Sequence, residues 1–266
     1  SVASEVVPLL NRLAADRKSL LGLETLRPWD KAVDAEGRPP LKAFDGGKDL
    51  LERSIRTFSR LDSYLGNCLS VMKEMGHLDL ESRKGKAPGG YNYPLAEIGV
   101  PFIFMNATST MRDMTTLMHE GGHAVHNFLT MDLTLNEFKS PPMEVAELAS
   151  MSMELLTMDQ WDEFFSNSAE LRRARMEQLE DIVETLPWVA TIDRFQHWIY
   201  ENPHHTGDER RTAWKEIAGT YSDNVTDWSG LNQAMDFLWQ KQLHLYEVPF
   251  YYIEYGMAQL GAVGIW

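Results

Sequence analysis

Apolar residues recur every three or four positions along most of the chain, which is the pattern of amphipathic helices. Turn residues separate these runs, and one short region is rich in β-forming residues instead. One helix each is predicted for residues 1 to about 26, 110 to about 129, 140 to 154, 210 to 221 and 230 to 243, and one or two helices for 48 to about 77. Residues 158 to about 200 predict two helices with a break or kink at Leu186-Pro187-Trp188 between them, and the aromatic-rich stretch after Tyr246 becomes helical toward Trp266.

The exception to the helical pattern lies between residues 78 and 106. Leu78 to Leu80 predicts a short strand, and Ile98 to Asn106 is an apolar, β-prone run that predicts another. Between them, Arg83 to Tyr91 is a glycine-rich loop, for which a plain turn is the simplest interpretation. The pattern predicts a mainly α fold with a small β-sheet just before the helix at 110–129.

Composition argues against several classes of function. The chain has 266 residues, 44% of them hydrophobic, and a net charge of −14, so it can bury a large core but suits neither nucleic acid nor an anionic membrane. No run reaches the roughly 18 apolar residues of a membrane-spanning helix. Cys68 is the single cysteine, which excludes a disulfide framework and a thiolate metal cluster. A reducing compartment fits this composition, so we predict a cytoplasmic location.

The helix at 110–129 contains His119-Glu120-Gly121-Gly122-His123, a match to H-E-x-x-H. Residues four apart share one face of a helix, so the two histidines can direct their imidazoles at one metal ion. Glu120 would lie beside the metal, where it can hold a water molecule. Each glycine costs a helix about 1 kcal/mol relative to alanine, and such a misfit predicts a functional site or a tight helix contact.

A catalytic zinc site needs a third protein ligand. Glu144 and Glu147 on the next predicted helix are the candidates, although a row of carboxylates that also includes Glu154 is typical of a solvated face. His126 lies near the motif, but a histidine satisfied by a neighbour is the simpler interpretation. Position 129 is leucine, so the longer motif with a third histidine is absent.

Several further segments accompany the motif. They are Lys86-Ala87-Pro88-Gly89-Gly90-Tyr91, Pro101-Phe102-Ile103-Phe104-Met105-Asn106, Ser140-Pro141-Pro142-Met143-Glu144-Val145-Ala146-Glu147, and Pro249-Phe250-Tyr251-Tyr252-Ile253-Glu254-Tyr255-Gly256. Together with the motif they resemble the oligoendopeptidase F branch of the thimet-oligopeptidase family, whose members are mostly helical zinc peptidases that cut short peptides. The resemblance extends from about residue 83 to the C-terminus. Members are normally longer, with an N-terminal helical lobe, so this chain is expected to be a fragment.

The resemblance implies a role for each residue that matches the family pattern. It implies one Zn²⁺ per chain, held by His119, His123 and Glu147, with Glu144 orienting a ligand histidine. Glu120 becomes the general base that takes a proton from water and passes it to the leaving amine.

The same resemblance implies donors for the oxyanion that develops during the reaction. His244, Tyr251 and Tyr255 match the family pattern best, and Tyr252 is a lesser candidate.

In the family, the strand before the motif helix pairs with an extended peptide. This implies substrate binding by the strand and by the glycine-rich loop, and close packing of the motif glycines beneath that strand. The substrate-binding residues predicted in this way are Phe102, Ile103, Phe104, Gly89, Gly90 and Tyr91.

The sequence thus predicts a zinc metalloendopeptidase of short peptides. A helical segment at 1–77 would lead into a zincin-like catalytic core at 78–266. One alternative is a non-catalytic helical fragment that binds metal or peptide without the N-terminal lobe. Another is a helical scaffold in which the histidines are core residues.

Overall fold

The structure is a computed structural model that describes residues 1–87 and 89–266. Pro88, in one of the segments that carry the resemblance, lies outside the described residues. The helices are α1 (Val7–Leu20), α2 (Gly46–Leu61), α3 (Ser63–Glu74), α4 (Met111–Thr130), α5 (Met143–Leu156), α6 (Ser168–Glu201), α7 (Gly207–Tyr221), α8 (Asn232–Asp236), α9 (His244–Glu247) and α10 (Ile253–Ile265). The strands are β1 (Leu78–Glu81), β2 (Tyr91–Tyr93) and β3 (Phe102–Ala107). The prediction of a mainly α fold with a small sheet before α4 is confirmed. Of the helices that the structure describes, none combines the length and the apolar character that a membrane span requires.

Helix α6 differs from its prediction. It runs as one helix through Pro187, so the prediction of two helices separated at Leu186-Pro187-Trp188 is wrong. Proline removes one backbone N–H from a helix. Here Leu186 and Val189 on either side of it are buried, so side-chain packing holds the helix together across the missing hydrogen bond.

The described backbone groups into two compact units. Unit 1 consists of residues 1–39 and 177–256, and unit 2 of residues 40–176 and 257–266. The predicted boundary between residues 77 and 78 falls inside unit 2, and the division into a helical segment and a catalytic core stays a prediction.

Unit 1 has an aromatic core that α6 and α7 supply. The rings of Phe195 and Trp214 meet edge to face with centroids 5.1 Å apart, and Trp239 lies 5.4 Å from Phe195. The indole N–H of Trp214 donates to the carbonyl oxygen of Met235 at 2.8 Å, so its polar atom is satisfied inside the core. Offset and edge-to-face pairs of this kind add to the energy of apolar burial.

Unit 2 combines the sheet with α2, α3, α4 and α5. The strand order is β1-β3-β2, with β3 parallel to β1 and antiparallel to β2. Strand β3 leads directly into α4, and α4 contacts both β3 and β2. The sheet therefore lies next to the helix that carries the H-E-x-x-H residues.

Lys86 fixes the loop between β1 and β2 to the sheet. Its side chain is 1% exposed. The Nζ atom donates to the carbonyl oxygens of Asp79 at 2.9 Å, Glu81 at 2.7 Å and Met105, and it lies 4.5 Å from the ring centroid of Phe104. The register shift in β1 between Asp79 and Glu81 accompanies this arrangement. One buried ammonium group therefore ties β1, β3 and the loop together.

We predict that Lys86→Met lowers the free energy of unfolding by about 2–3 kcal/mol, because three carbonyl groups lose a charged donor while the aliphatic volume is kept. Lys84→Ala, two residues away and exposed, is the control and should change stability by less than about 0.5 kcal/mol. Urea denaturation of both variants measures the difference. Equal stabilities would show that Lys86 does not fix the loop.

Candidate functional site

Helix α4 presents the H-E-x-x-H residues, and its start is set by a capping box. The Oγ1 atom of Thr110 accepts a hydrogen bond from the N–H of Asp113 at 3.2 Å, and the Asp113 carboxylate accepts one from the N–H of Thr110 at 3.0 Å. The apolar side chains of the next turns are buried. Capping and burial together fix the rotation of the helix, so the histidine face of α4 turns toward α5.

The two motif glycines allow close contacts of α4. A Cβ atom on Gly122 would lie 2.7 Å from the Cα atom of Ser150 and 3.0 Å from the carbonyl oxygen of Ala149, both on α5. One on Gly121 would lie 2.8 Å from the ring of Phe58 on α2. The expectation of a tight helix contact is met. The expectation that these glycines pack beneath a substrate strand is wrong, because their close neighbours belong to α5 and α2.

This close approach brings Glu147 of α5 to the two histidines. Its Oε2 atom lies 3.2 Å from Nε2 of His119 and 3.7 Å from Nε2 of His123. One ligand atom from each residue falls within 4.8 Å of the others. Zinc bonds of about 2.0–2.1 Å in a tetrahedron separate neighbouring ligand atoms by roughly 3.4 Å. The three residues therefore fit a zinc ion with one position left open.

Each histidine is oriented by an acceptor behind it. The Nδ1 atom of His119 lies 2.7 Å from Oε1 of Glu154, and the ring of His123 hydrogen-bonds to the backbone of Ala146. The prediction that Glu144 orients a ligand histidine is therefore wrong. Since His119 meets residue 154 while His123 meets residue 146, α4 and α5 run in opposite directions, and the carboxylate beside His119 must come from later in α5. Glu154 follows Glu147 by seven residues, so the two lie two turns apart on the same helix face. This spacing is the sequence signal that could have identified Glu154.

The site concentrates negative charge. Burial opposes protonation of His119, but its hydrogen bonds with Glu147 and Glu154 outweigh this and raise its pKa to about 10. Burial and the neighbouring His119 lower the pKa of His123 to about 4. One positive charge on His119 is therefore held between two carboxylates, and a divalent cation would replace that proton. His126 is half-buried, which lowers its pKa, and it is not part of the metal-binding group in the described residues.

Glu120 is buried beside this group and is held by strand β2. Burial raises its pKa to about 7, and the backbone N–H of Asn92 donates to its carboxylate. The side chain of Asn92 also donates to Oδ1 of Asn127, further along α4, at 2.6 Å. Neither asparagine was identified from the sequence. Asn92 lies between two tyrosines in a strand of only three residues, which is too short to show a recognisable pattern.

The sheet order corrects the predicted substrate strand. Strand β3 is central: β1 pairs with Ile103 and Phe104 on one side, and β2 pairs with Phe102 to Phe104 on the other. Ile103 is fully buried. The prediction that Phe102, Ile103 and Phe104 pair with a peptide is therefore wrong, because their backbone groups already face neighbouring strands. The sheet edge beside α4 is β2.

The other predicted substrate residues lie at that edge. Tyr91 begins β2, is half exposed, and stacks on Phe104 with centroids 5.1 Å apart. Gly90 packs against α4, where an added Cβ would lie 3.1 Å from Cγ2 of Thr116. Gly89 has φ of +95°, a conformation that favours glycine. Substrate binding by Gly89, Gly90 and Tyr91 stays a prediction.

The predicted oxyanion donors form a cluster in unit 1. The His244 ring is stacked on Tyr251 with centroids 5.7 Å apart, and it contacts Tyr252 at 5.0 Å and Tyr255 at 5.6 Å. The Tyr255 hydroxyl lies 3.5 Å from Nε2 of His244. Burial raises the pKa of Tyr252 to about 12. The four side chains therefore form one cluster of contacting rings. Their role in catalysis stays a prediction.

The chain is similar in sequence to known peptidases. A sequence model of peptidase family M3 matches residues 63–266, more than half of the chain. Oligopeptidase PepF of Bacillus subtilis is 27% identical over 199 residues, which cover 73% of this chain and 28% of that protein. The oligoendopeptidase F homolog of Borreliella burgdorferi is 23% identical over 273 residues, covering 99% of this chain and 44% of that protein.

The fold also matches solved structures. PZ peptidase A, in a structure with an inhibitor, superposes with a TM-score of 0.90 and 33% sequence identity, covering 100% of this chain and 47% of that one. The chain thus spans less than half the length of these relatives. The predicted fold class is confirmed by this superposition.

We predict that Gly122→Ala lowers the free energy of unfolding by about 2 kcal/mol, because the added methyl group meets the α5 backbone rather than a flexible side chain. It should also weaken metal binding, since it pushes the ligand glutamate away from the histidines. Gly219→Ala in α7 is the matched control: nothing lies within 4 Å of its added Cβ, so it should stabilise the protein by about 0.5–1 kcal/mol. Thermal unfolding and metal titration measure both effects, and equal behaviour of the two variants would refute the close-contact argument.

Proposed function

The chain belongs to peptidase family M3, in its oligoendopeptidase F branch, and we propose that it supplies the catalytic part of a cytoplasmic zinc metalloendopeptidase that hydrolyses short peptides. One observation carries this proposal: His119, His123 and Glu147 offer three ligand atoms at zinc spacing, with the buried carboxylate of Glu120 beside them. Net charge of −14 disfavours nucleic acid and membrane partners.

His119, His123 and Glu147 would hold one zinc ion. A bound zinc ion supplies Lewis-acid chemistry, because it polarises a carbonyl oxygen and makes water more acidic. Glu154 and the backbone of Ala146 hold the two imidazoles in place and would keep them oriented for the ion. Rigid support of this kind favours a catalytic site over an incidental pair of histidines.

Glu120 follows the first ligand histidine directly, so its carboxylate lies beside the metal without being one of the three ligands. It can accept a proton from water and return it to the leaving amine. The N–H of Asn92 fixes one side of this carboxylate. The proposed general base is therefore hydrogen-bonded to β2, the strand along which we place the substrate.

The substrate would lie along β2 rather than β3. An extended peptide can add to an edge strand, and the two tyrosines of β2 are half or more exposed on one face. By the family resemblance, His244, Tyr251 and Tyr255 would donate hydrogen bonds to the oxyanion.

We predict that the protein cleaves a quenched fluorescent peptide of about ten residues and that a chelator stops the reaction. Glu120→Gln should keep zinc and lower kcat by about 10²–10⁴-fold, the usual contribution of a general base. Glu137→Gln, at an exposed position, controls for the loss of one charge and should retain full rate. Undiminished cleavage by Glu120→Gln would refute the role of this residue. Zinc binding without any turnover by the unaltered protein would support a non-catalytic metal-binding fragment instead.

A second pair of variants tests the ligand set. Glu147→Ala should lower zinc occupancy well below one ion per chain, because it removes a ligand and leaves two imidazoles. Glu144→Ala, one turn earlier on the same helix, should keep occupancy near one. Metal analysis after dialysis distinguishes them, and full occupancy in Glu147→Ala would mean that another residue is the third ligand.

A further inference from the structure

A chain of hydrogen bonds with one direction leads to His244 in unit 1. It begins at Trp188, whose indole N–H donates to Oε1 of Gln242 at 2.9 Å. The same N–H also reaches the hydroxyl of Tyr252. An indole nitrogen can only donate, so the atom of Gln242 that faces it must be the oxygen. The bond to Trp188 therefore fixes the orientation of the Gln242 amide.

The other end of that amide faces His244. The Nε2 atom of Gln242 lies 2.7 Å from Nδ1 of His244. An amide nitrogen has no acceptor capacity, so Nδ1 must accept. A neutral imidazole whose Nδ1 accepts carries its proton on Nε2. Gln242 therefore selects one tautomer of His244.

The position of the ring is fixed as well. Tyr251 stacks on it and Tyr252 packs against it. The Nε2 atom, with its proton, points toward the Tyr255 hydroxyl at 3.5 Å. Since Nε2 is the donor in that pair, the Tyr255 oxygen accepts. Aligned bonds of this kind polarise one another and strengthen the last donor.

We infer that Gln242, held by Trp188, is a positioning residue that keeps the proton of His244 on Nε2, so that this N–H donates to the Tyr255 oxygen in this structure and to the oxyanion in the proposed reaction. The family resemblance assigned no role to Trp188 or Gln242. The inference rests on the proposed function in one respect, since it is there that His244 and Tyr255 serve as oxyanion donors.

The first test is the tautomer itself. Nitrogen-15 NMR of the histidine-labelled protein distinguishes a protonated ring nitrogen from an unprotonated one, and His244→Gln identifies the His244 signals by their loss. We expect Nε2 to be protonated and Nδ1 unprotonated in the unaltered protein. A protonated Nδ1 in neutral His244 would overturn the inference without any mutation of Gln242.

The second test reverses the polarity at Nδ1. Gln242→Glu replaces the donor by a carboxylate, so Nδ1 should become protonated. At a pH where NMR shows the ring neutral, Nε2 then has no proton to donate, and kcat should fall by about 10²–10³-fold with little change in KM, as for loss of one oxyanion donor. Gln240→Glu, two residues earlier and exposed, adds the same charge and should change neither the tautomer nor kcat. Retention of the Nε2–H tautomer in Gln242→Glu would also overturn the inference.

The proposed peptidase function and the positioning role of Gln242 can be refuted independently of each other. If the unaltered protein binds zinc but cleaves no peptide, the proposed function is refuted while the NMR result still decides the role of Gln242. If it cleaves peptide and Gln242→Glu changes the tautomer but not kcat, the positioning role in catalysis is refuted and the peptidase function stands.

Discussion

The backbone contact between α4 and α5 at Gly122 is the constraint on which the metal site depends. Packed helices usually keep their axes about 8–10 Å apart, with side chains filling the space between them. Here the absence of a Cβ atom lets the two backbones come close together, so the Glu147 carboxylate reaches both imidazoles. A buried carboxylate is costly unless it is paired. The same contact that buries Glu147 also supplies the groups that neutralise it.

The sheet has a supporting role in unit 2 that its strand order explains. The central strand β3 is paired on both sides, so it cannot bind a peptide through its backbone and instead holds β2 in place. Lys86 fastens the loop that precedes β2 to the carbonyl groups of the other two strands. Asn92 then connects β2 to α4 through both its backbone and its side chain. A short edge strand of three residues is weak by itself, and these contacts fix its distance from Glu120.

Features that depend on the spacing of residues within one helix could be predicted from the sequence. The pairing of His119 with His123 follows from helical periodicity alone, and the capping and apolar pattern of α4 follow from its own residues. Three predictions that depend on how elements meet were wrong. The choice of Glu144 over Glu154 required knowing that α4 and α5 run in opposite directions. The choice of β3 as the substrate strand required knowing that the neighbouring loop continues into β2. The predicted separation into two helices at Pro187 was wrong, because buried neighbours outweigh one missing hydrogen bond.

The three histidines of the candidate sites differ in the polarity of the partner behind each ring. His119 and His123 face acceptors, the Glu154 carboxylate and the Ala146 carbonyl, which each accept a hydrogen bond from one ring nitrogen, so a cation that displaces any proton from the other nitrogen meets its lone pair. Such an imidazole suits a metal ion. His244 faces a donor, the amide N–H of Gln242, so its other nitrogen keeps the proton. An imidazole of that kind cannot bind a metal through Nε2, but it can donate to a negatively charged oxygen. The residue type is the same in all three positions. The hydrogen-bond partner of Nδ1 determines whether Nε2 can offer a lone pair to a metal ion or a proton to an acceptor.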